Sequence, residues 1–512
     1  MSRSIKTDYL LRDQPLADFY AYNPCNPNYL QIIQDRSKYP CKRELLLQVL
    51  LNQHQFLPNN QKTVQKIYQL GHNDTFTVTT GQQPALFGGP LYTIYKTISA
   101  IAWAKQLQQQ FPDYQFVPIF WIASEDHDFA EINHTYFDYK SPLIYESVFK
   151  GAVGRHLIDN QILNLTKNIP LIQDFYKPNT TWTEAFRKWM HYLFADEGLV
   201  LLDADNPYFK ETFAPIMEQE LVEQKSYSLI QETSRELISR EYHAQLKPQP
   251  INLFYLDENS RNKIEYKDNQ YFIDKINLIY TQKQILTEHK NHPERFSPNA
   301  ALRPVFQEVI LPNIAYISGW AEIAYWLQLK PVFQHYNVFY PLLLPRLSTT
   351  LMSQNQADTF IKAKLEPSDI LKTIPELRKR IAHNLNYPYL NTTESTNNQI
   401  QTLLNQLSGE LEKLEPGLAF STRALLIKNF KFLNHIHLKV EKALVNRYPS
   451  HFKPIFDIKN NIQPENFIQE RTLNLLSFCN FSDPNSVKDF IKQLFQLSQP
   501  TDFQHKLIIY NG

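Results

Sequence analysis

The stretch Thr75-Phe-Thr-Val-Thr-Thr-Gly-Gln-Gln-Pro-Ala-Leu-Phe-Gly-Gly-Pro-Leu-Tyr-Thr-Ile-Tyr-Lys96 runs from a β-prone segment through a glycine-rich loop into the start of a helix. Gly81, Gly88 and Gly89 are three of only 11 glycines in 512 residues, so backbone freedom is concentrated where it is otherwise scarce. Pro90 suits a first helical turn, and a helix amino terminus offers unpaired N–H groups and a partial positive charge. With Lys96 about two turns further on, the junction reads as an anion site for a phosphate or a carboxylate. A tight strand-to-helix turn holding no ligand is the alternative, because neither GxGxxG nor GxxxxGK[ST] is present.

Outward from this stretch, Tyr92 to Gln110 is patterned as a helix, and Val117-Pro-Ile-Phe-Trp-Ile-Ala123 is a short apolar run of strand character. Strand, loop, helix and strand make a βαβ unit, whose ligand site lies at the carboxyl ends of its parallel strands. The second strand empties into Ser124-Glu-Asp-His-Asp-Phe-Ala-Glu-Ile-Asn-His134, which holds four acids and two histidines in eleven residues. Three readings stay open for it. The ligand types suit a metal, but the spacing matches no HExxH or paired-cysteine pattern. Acids also favour the first turn of a solvated helix. The preferred reading is an active-site loop in which His127 handles a proton or meets a phosphate, while Glu125, Asp126 and Asp128 orient a cationic amine.

Composition bounds these ideas. With 43% hydrophobic and 20% charged residues the chain is ordinary globular protein, long enough for several domains. A net charge of +1 gives no electrostatic argument for a nucleic-acid partner. No apolar run approaches the roughly 18 residues of a membrane span, and the amino terminus lacks the apolar stretch of a signal peptide, so a cytoplasmic protein is expected. Cys25, Cys41 and Cys479 are widely spaced, without CxxC, and read as inert thiols.

The expected organisation is an amino-terminal segment with the first half of a Rossmann-like α/β core over 1–145, an intervening insertion over 146–295, and the second half of the core over 296–349. Arg303, Glu308, Glu322, Tyr325 and Lys330 are placed to reach a polar pocket at its strand ends, although an ordinary surface or ion-pair role is the better reading of each taken singly. Arg346, in the loop Pro345-Arg-Leu-Ser348, stands out as a cation positioned to neutralise phosphate charge. From 350 to 449, Ile400, Leu403, Leu407, Leu411, Leu414 and Leu418 recur at steps of three and four, continued by Leu425, Phe432, Ile436, Val440 and Leu444 after Pro416-Gly417. That seam fits either an antiparallel helix pair packed within one subunit or a dimerising coiled-coil arm. Residues 450–512 are expected to fold back on the core, ending in the strand-like Lys506-Leu-Ile-Ile-Tyr510.

Several long motifs resemble the bacillithiol-biosynthesis BshC family: Thr80-Gly-Gln-Gln83 with Gly88 to Lys96, Phe120-Trp-Ile-Ala-Ser-Glu-Asp-His-Asp128, Phe296-Ser-Pro-Asn299 with Leu302-Arg-Pro304, Glu322-Ile-Ala-Tyr-Trp326 and Pro345-Arg-Leu-Ser348. Weaker similarity around Gly198 to Leu221, Pro250 to Asp257 and Gln469-Glu-Arg471 carries the resemblance over nearly the whole chain. The resemblance implies a cysteine ligase that joins cysteine to the amine of glucosaminyl malate. It also implies a core like that of class I aminoacyl-tRNA synthetases, connecting insertions, and a coiled coil through which members form homodimers.

Combined with the local chemistry, the resemblance makes His127, Asp126, Lys96 and Arg346 the expected catalytic residues. Gly81, Gln82, Gln83, Gly88, Gly89 and Ser348 are expected to bind nucleotide, and Trp121, Glu125, Asp128, Asn299, Arg303, Glu322 and Tyr325 the substrates. ATP or ADP is the expected ligand, with Mg2+ as an accompanying ion and no structural metal; no membrane partner is expected. One departure is Ser318-Gly-Trp-Ala-Glu322, poorer in glycine than the family pattern, where Trp320 is expected to narrow the pocket.

Overall fold

The computed structural model describes residues 3–11, 15–384, 388–464, 467–480, 483–497 and 503–510. The chain divides into two compact units, one of 1–348 with 470–505 and the other of 349–469 with 506–512.

In the first unit, β1 (Thr75–Gln82), β2 (Gln115–Ile122), β3 (Val200–Asp203), β4 (Asn313–Ser318) and β5 (Leu342–Pro345) form one parallel sheet in the order β5-β4-β1-β2-β3. Parallel strands are covered on both faces and therefore read as nearly continuous apolar runs. Phe76 and Val78 of β1 pack on one face with Ile33, Trp103 and Leu107, whereas Val117, Ile119 and Trp121 of β2 join Val305, Phe306 and Trp326 on the other. Between β1 and β2 runs α1 (Leu91–Gln110); α2 (Arg303–Ile310) precedes β4, and α3 (Trp320–Trp326) follows it. From β1 the chain builds the sheet outward first on one side and then on the other. The strand order thus reverses between β1 and β4, which opens a crevice at their carboxyl ends, the position where such sheets bind ligands.

A five-stranded antiparallel sheet made of Leu253–Asp257, Ser260–Lys267, Gln270–Ile273, Leu278–Thr281 and Phe296–Pro298 accompanies this core. The expected boundary at 146–295 therefore needs revision. Val200–Asp203 lies inside that span yet is the edge strand of the parallel sheet, because it pairs with Ile119–Ile122 of β2. The 450–512 segment is likewise split: Pro449–Ile462 and Lys506–Tyr510 belong to the second unit, and 470–505 to the first.

In the second unit Thr349–Ser353 pairs in parallel with Lys506–Tyr510, and Phe360, Leu377, Ile381, Leu444, Phe452 and Ile455 form its core. The helices Pro388–Leu414 and Pro416–Arg447 pack against each other as a hairpin around the break at Glu415. This satisfies the internal-pair reading only in part, since Leu403, Leu407, Leu414, Phe432 and Ile436 remain exposed. The side chains of Leu418 and Leu425 lie outside the described residues. No helix among the described residues is long and apolar enough to cross a membrane.

Candidate functional site

At the switch point the ammonium of Lys96, carried by the second turn of α1, reaches back to the end of β1. It donates to the carbonyl of Gly81 and to Gln82 Oε1 at 3.2 Å, and pairs with Glu322 Oε2 at 2.6 Å. Glu322 is fixed by its place in the first turn of α3, where it also accepts from Gly319 N–H at 3.1 Å and from the Tyr316 hydroxyl at 3.1 Å. Burial pushes Lys96 below its ordinary value, against the pull of Glu322. Burial pushes Glu322 upward, but Lys96, the Gly319 amide and Arg303 together hold it below the usual carboxylate range. At 1% exposure Lys96 is a closed ion pair and does not present an open charge.

A second group stands beside the first. Gln82 Nε2 donates to the Tyr92 hydroxyl at 3.1 Å, and the Arg346 guanidinium lies 5.6 Å from the centre of the Tyr92 ring. Burial and then the charge of Glu322 push that hydroxyl up to about 12. Arg346 forms a two-pronged pair with Glu470, at 3.0 and 2.8 Å, and Ser348 Oγ donates to the same carboxylate at 3.1 Å. The phosphate-facing role expected of Arg346 thus meets a guanidinium that already has its carboxylate. Sequence reasoning had noted Glu470 only within a weak motif and had given it no role.

The glycine loop is packed shut in the same way. Gly88 and Gly89 have φ of 88° and 72°, and a Cβ on Gly88 would lie 2.9 Å from Trp189 Nε1 while one on Gly89 would lie 2.8 Å from Ala85 Cβ. The amides of Ala85, Gly88 and Gly89 donate to Gln83, Ala85 and Leu86 carbonyls, and that of Phe87 to the Tyr176 hydroxyl. Asn474, fully buried, donates to the carbonyls of Phe87 and Gly89 at 3.1 and 2.9 Å, and Leu91 N–H at the start of α1 is taken by the Leu473 carbonyl. Packing accounts for both glycines, and these amides do not form an open cradle for phosphate.

The acidic loop after β2 is drawn in by residues from elsewhere. Gln83 Nε2 donates to Asp126 Oδ2 at 2.6 Å, and the amides of His127 and Asp128 donate to Asp126 Oδ1 at 2.7 and 3.3 Å. Burial would raise the Asp126 carboxyl, but these donors and the charge of Arg261 at 3.8 Å hold it well below the usual range. His127 Nδ1 stands 3.5 Å from Asp126 Oδ1 and 3.4 Å from Arg261 Nη1. As the neutral acceptor tautomer, the ring takes a hydrogen bond from the guanidinium there. Glu125 pairs with the buried ammonium of Lys210. Asp128 is exposed at the start of the short turn Phe129–Ile132, which is where the helix-cap reading would put it. Among the described residues no set of His, Cys, Asp and Glu converges as metal ligands.

Beside the acidic loop opens a cavity of about 130 Å3, lined by Trp121, Glu125, Asp126, Asn299, Arg303 and Tyr325, all expected from sequence, together with Arg261, which was not. Arg303 lies over the Tyr316 ring, 5.4 Å from its centre, and donates to the Tyr316 hydroxyl at 3.4 Å. Asn299 is held by Asn252 and by the Ala301 amide. Trp320 does not line this cavity; its ring lies edge-on against Tyr9, 6.3 Å between centres, so the expected narrowing is not seen. Two carboxylates and two guanidiniums facing one small space can orient a zwitterion or an amine and a carboxylate together.

Strand order, switch-point crevice and a separate helical-hairpin unit define an α/β protein of the Rossmann-like class. Residues 1–347 match the family described as bacillithiol biosynthesis BshC, N-terminal Rossmann-like domain, and residues 349–510 its C-terminal coiled-coil domain. The chain belongs to that family. A Cytophaga hutchinsonii protein named "Putative cysteine ligase BshC" is 34% identical over 98% of this chain and 96% of its own length. Relatives of the same name from Flavobacterium johnsoniae and Chlorobaculum tepidum are 35% and 30% identical, over 92% and 88% of this chain and 91% and 87% of their own lengths. A Campylobacter jejuni crystal structure, described as that of a "putative arginyl t-RNA synthetase", aligns at 10% identity over 86% of this chain and 98% of its own, with a TM-score of 0.23, too low to bear on the fold.

Proposed function

We propose that this chain is a ligase that forms an amide between the carboxyl of cysteine and the glucosamine nitrogen of glucosaminyl malate, the last step in making bacillithiol. The observation that carries this reading is the cavity at the carboxyl ends of β2 and β3, which Glu125 and Asp126 line together with Arg261 and Arg303. An ammonium is matched by the acids, and the carboxylates of a malyl group by the arginines. A free carboxylate is a poor electrophile, so we assign its activation to ATP, with Mg2+ as its companion. A carboxylate oxygen of cysteine attacks a phosphorus of ATP as the P–O bond to the departing ADP or pyrophosphate breaks. The bond from the acyl carbon to that oxygen then breaks as the C–N bond forms, phosphate or AMP leaves, and the attacking nitrogen, a neutral amine, gives its proton to His127. The closed glycine loop and the paired Lys96 and Arg346 leave the triphosphate without a cradle in this arrangement, so these residues are given no step in phosphate handling. The exposed seam around Leu403, Leu407 and Phe432 is assigned to a homodimer contact, and the protein to the cytoplasm with its small-molecule substrates.

The test is direct. Purified protein is incubated with cysteine and glucosaminyl malate, with and without ATP and Mg2+, and the products are read by mass spectrometry. Bacillithiol formed only with ATP supports the whole scheme. Bacillithiol formed without ATP overturns the activation step alone, and no product under any condition overturns the ligase.

A further inference from the structure

Beneath the cavity a continuous row of side-chain hydrogen bonds crosses the interior of the first unit. Arg303 Nη1 donates to Gln307 Oε1 at 3.1 Å, and Gln307 Nε2 donates to Glu308 Oε1 at 2.7 Å. Asn313 Nδ2 donates to the same oxygen at 2.8 Å, and the hydroxyls of Thr77 and Thr79 donate to Asn313 Oδ1 at 3.1 and 2.8 Å. The polarity of the row is forced. A guanidinium carries only donors, so Gln307 must show it the amide oxygen and turn its NH2 to Glu308. With Glu308 Oε1 accepting, Asn313 turns its NH2 to that oxygen and its Oδ1 to the threonine hydroxyls, which can donate to it. Gln307 and Glu308 are at most 2% exposed, and Glu308 Oε2 is buried without a partner. An interior carboxyl with one oxygen unsatisfied is costly, and an aliphatic side chain would fill the same place at less cost.

We infer that Glu308 is a positioning residue: by accepting from Gln307 it keeps that amide oxygen turned to Arg303, and so holds the guanidinium in the cavity where it meets a substrate carboxylate. Without the Glu308 oxygen, the Gln307 amide is no longer held with its oxygen toward the guanidinium, and Arg303 loses that hydrogen bond while keeping the one to the Tyr316 hydroxyl. Burial raises the Glu308 carboxyl against the donors Asn313 and Gln307 and the charges of Arg36 and Arg303, favouring the neutral form, in which Oε1 is still an acceptor. That a carboxylate is the ligand rests on the ligase reading; the anchoring of Arg303 does not.

The experiment compares full-length wild type, Glu308→Gln and Glu308→Leu. Arginine modification by phenylglyoxal is followed at Arg303 by peptide mass spectrometry, with KM for glucosaminyl malate measured beside kcat. Glu308→Gln, which keeps the acceptor, is expected to match wild type. Glu308→Leu is expected to raise Arg303 labelling and KM about tenfold each with kcat little changed, as loss of one oriented hydrogen bond predicts. If Glu308→Leu fails to fold, Gln307→Leu breaks the same row one link nearer the site and is expected to release Arg303 equally. Wild-type labelling in the folded variant, or Glu308→Gln behaving like Glu308→Leu, overturns the inference. Absence of ligase activity in wild type would overturn the functional reading, and the labelling would still decide the role of Glu308.

Discussion

Replacing Glu308 with glutamine removes the titration of one buried carboxyl while keeping its shape, and the effect on stability has a defined sign. Burial raises the folded value from 4.5 to about 8, against the donors Asn313 and Gln307 and the charge of Arg36. Between those values the unfolded chain has released this proton and the folded chain has kept it. Unfolding free energy therefore falls as pH rises through the window, by about 1.4 kcal/mol per pH unit from this group alone. From pH 5.5 to 7.5 the loss amounts to about 2–3 kcal/mol, and glutamine is exempt from it. The variant should thus gain on wild type by that amount across the interval, whatever the offset between them at pH 5.5. Urea unfolding read by tryptophan fluorescence reports the right region, because all six tryptophans, from Trp103 to Trp326, lie in the first unit. Wild type and variant running parallel across these pH values would show that Glu308 is already ionised in the fold, and would refute the reasoning.

Removal of the Arg346 partner by Glu470→Ala leaves a guanidinium of 8% exposure without its carboxylate and should cost about 3–5 kcal/mol in the same urea assay; a loss below about 1 kcal/mol would show that the pair adds nothing to the fold. His127→Ala is expected to lower bacillithiol formation by about two to four orders of magnitude with an unchanged melting curve. Normal thiol levels in a complemented deletion strain would return the loop to a helix-start role. Glutamate at Leu407 and Leu411 should give a folded monomer in sedimentation, and a dimer that survives both changes would place the contact elsewhere.

Much of the core was legible locally. A β-prone run, a glycine-proline loop, a helix period and a second apolar run suffice to place β1, α1 and β2, since each element is set by its own residues. Strand character at Val200–Asp203 was equally legible, but its place in the core sheet was not, because pairing with β2 joins residues some 80 positions apart and leaves no local mark. The glycine loop shows the same limit from another side. Its sequence suits an open anion nest and a packed corner equally well, and Trp189 and Asn474, distant in the chain, decide between them. That Trp121, Asp126, Arg303 and Tyr325 line one cavity was legible because strand ends predict where a crevice opens. Arg261 was missed because a charge on an alternating hairpin strand reads as solvent-facing, and only the fold turns it inward.

The chain passes between its two units at 348/349, at 469/470 and again at 505/506. On the ribosome, therefore, the first unit emerges with its sheet complete but with buried polar groups still waiting for partners from the far end of the chain. Glu470 and Asn474 arrive only after more than a hundred further residues have been synthesised. Until then Arg346 lacks its carboxylate, and the carbonyls of Phe87 and Gly89 lack the amide that ties them down. A fragment cut at Ser348, the natural place to divide the chain by its family match, would reproduce that nascent state permanently, and should be recovered as a sticky, easily proteolysed product in place of a working half-enzyme.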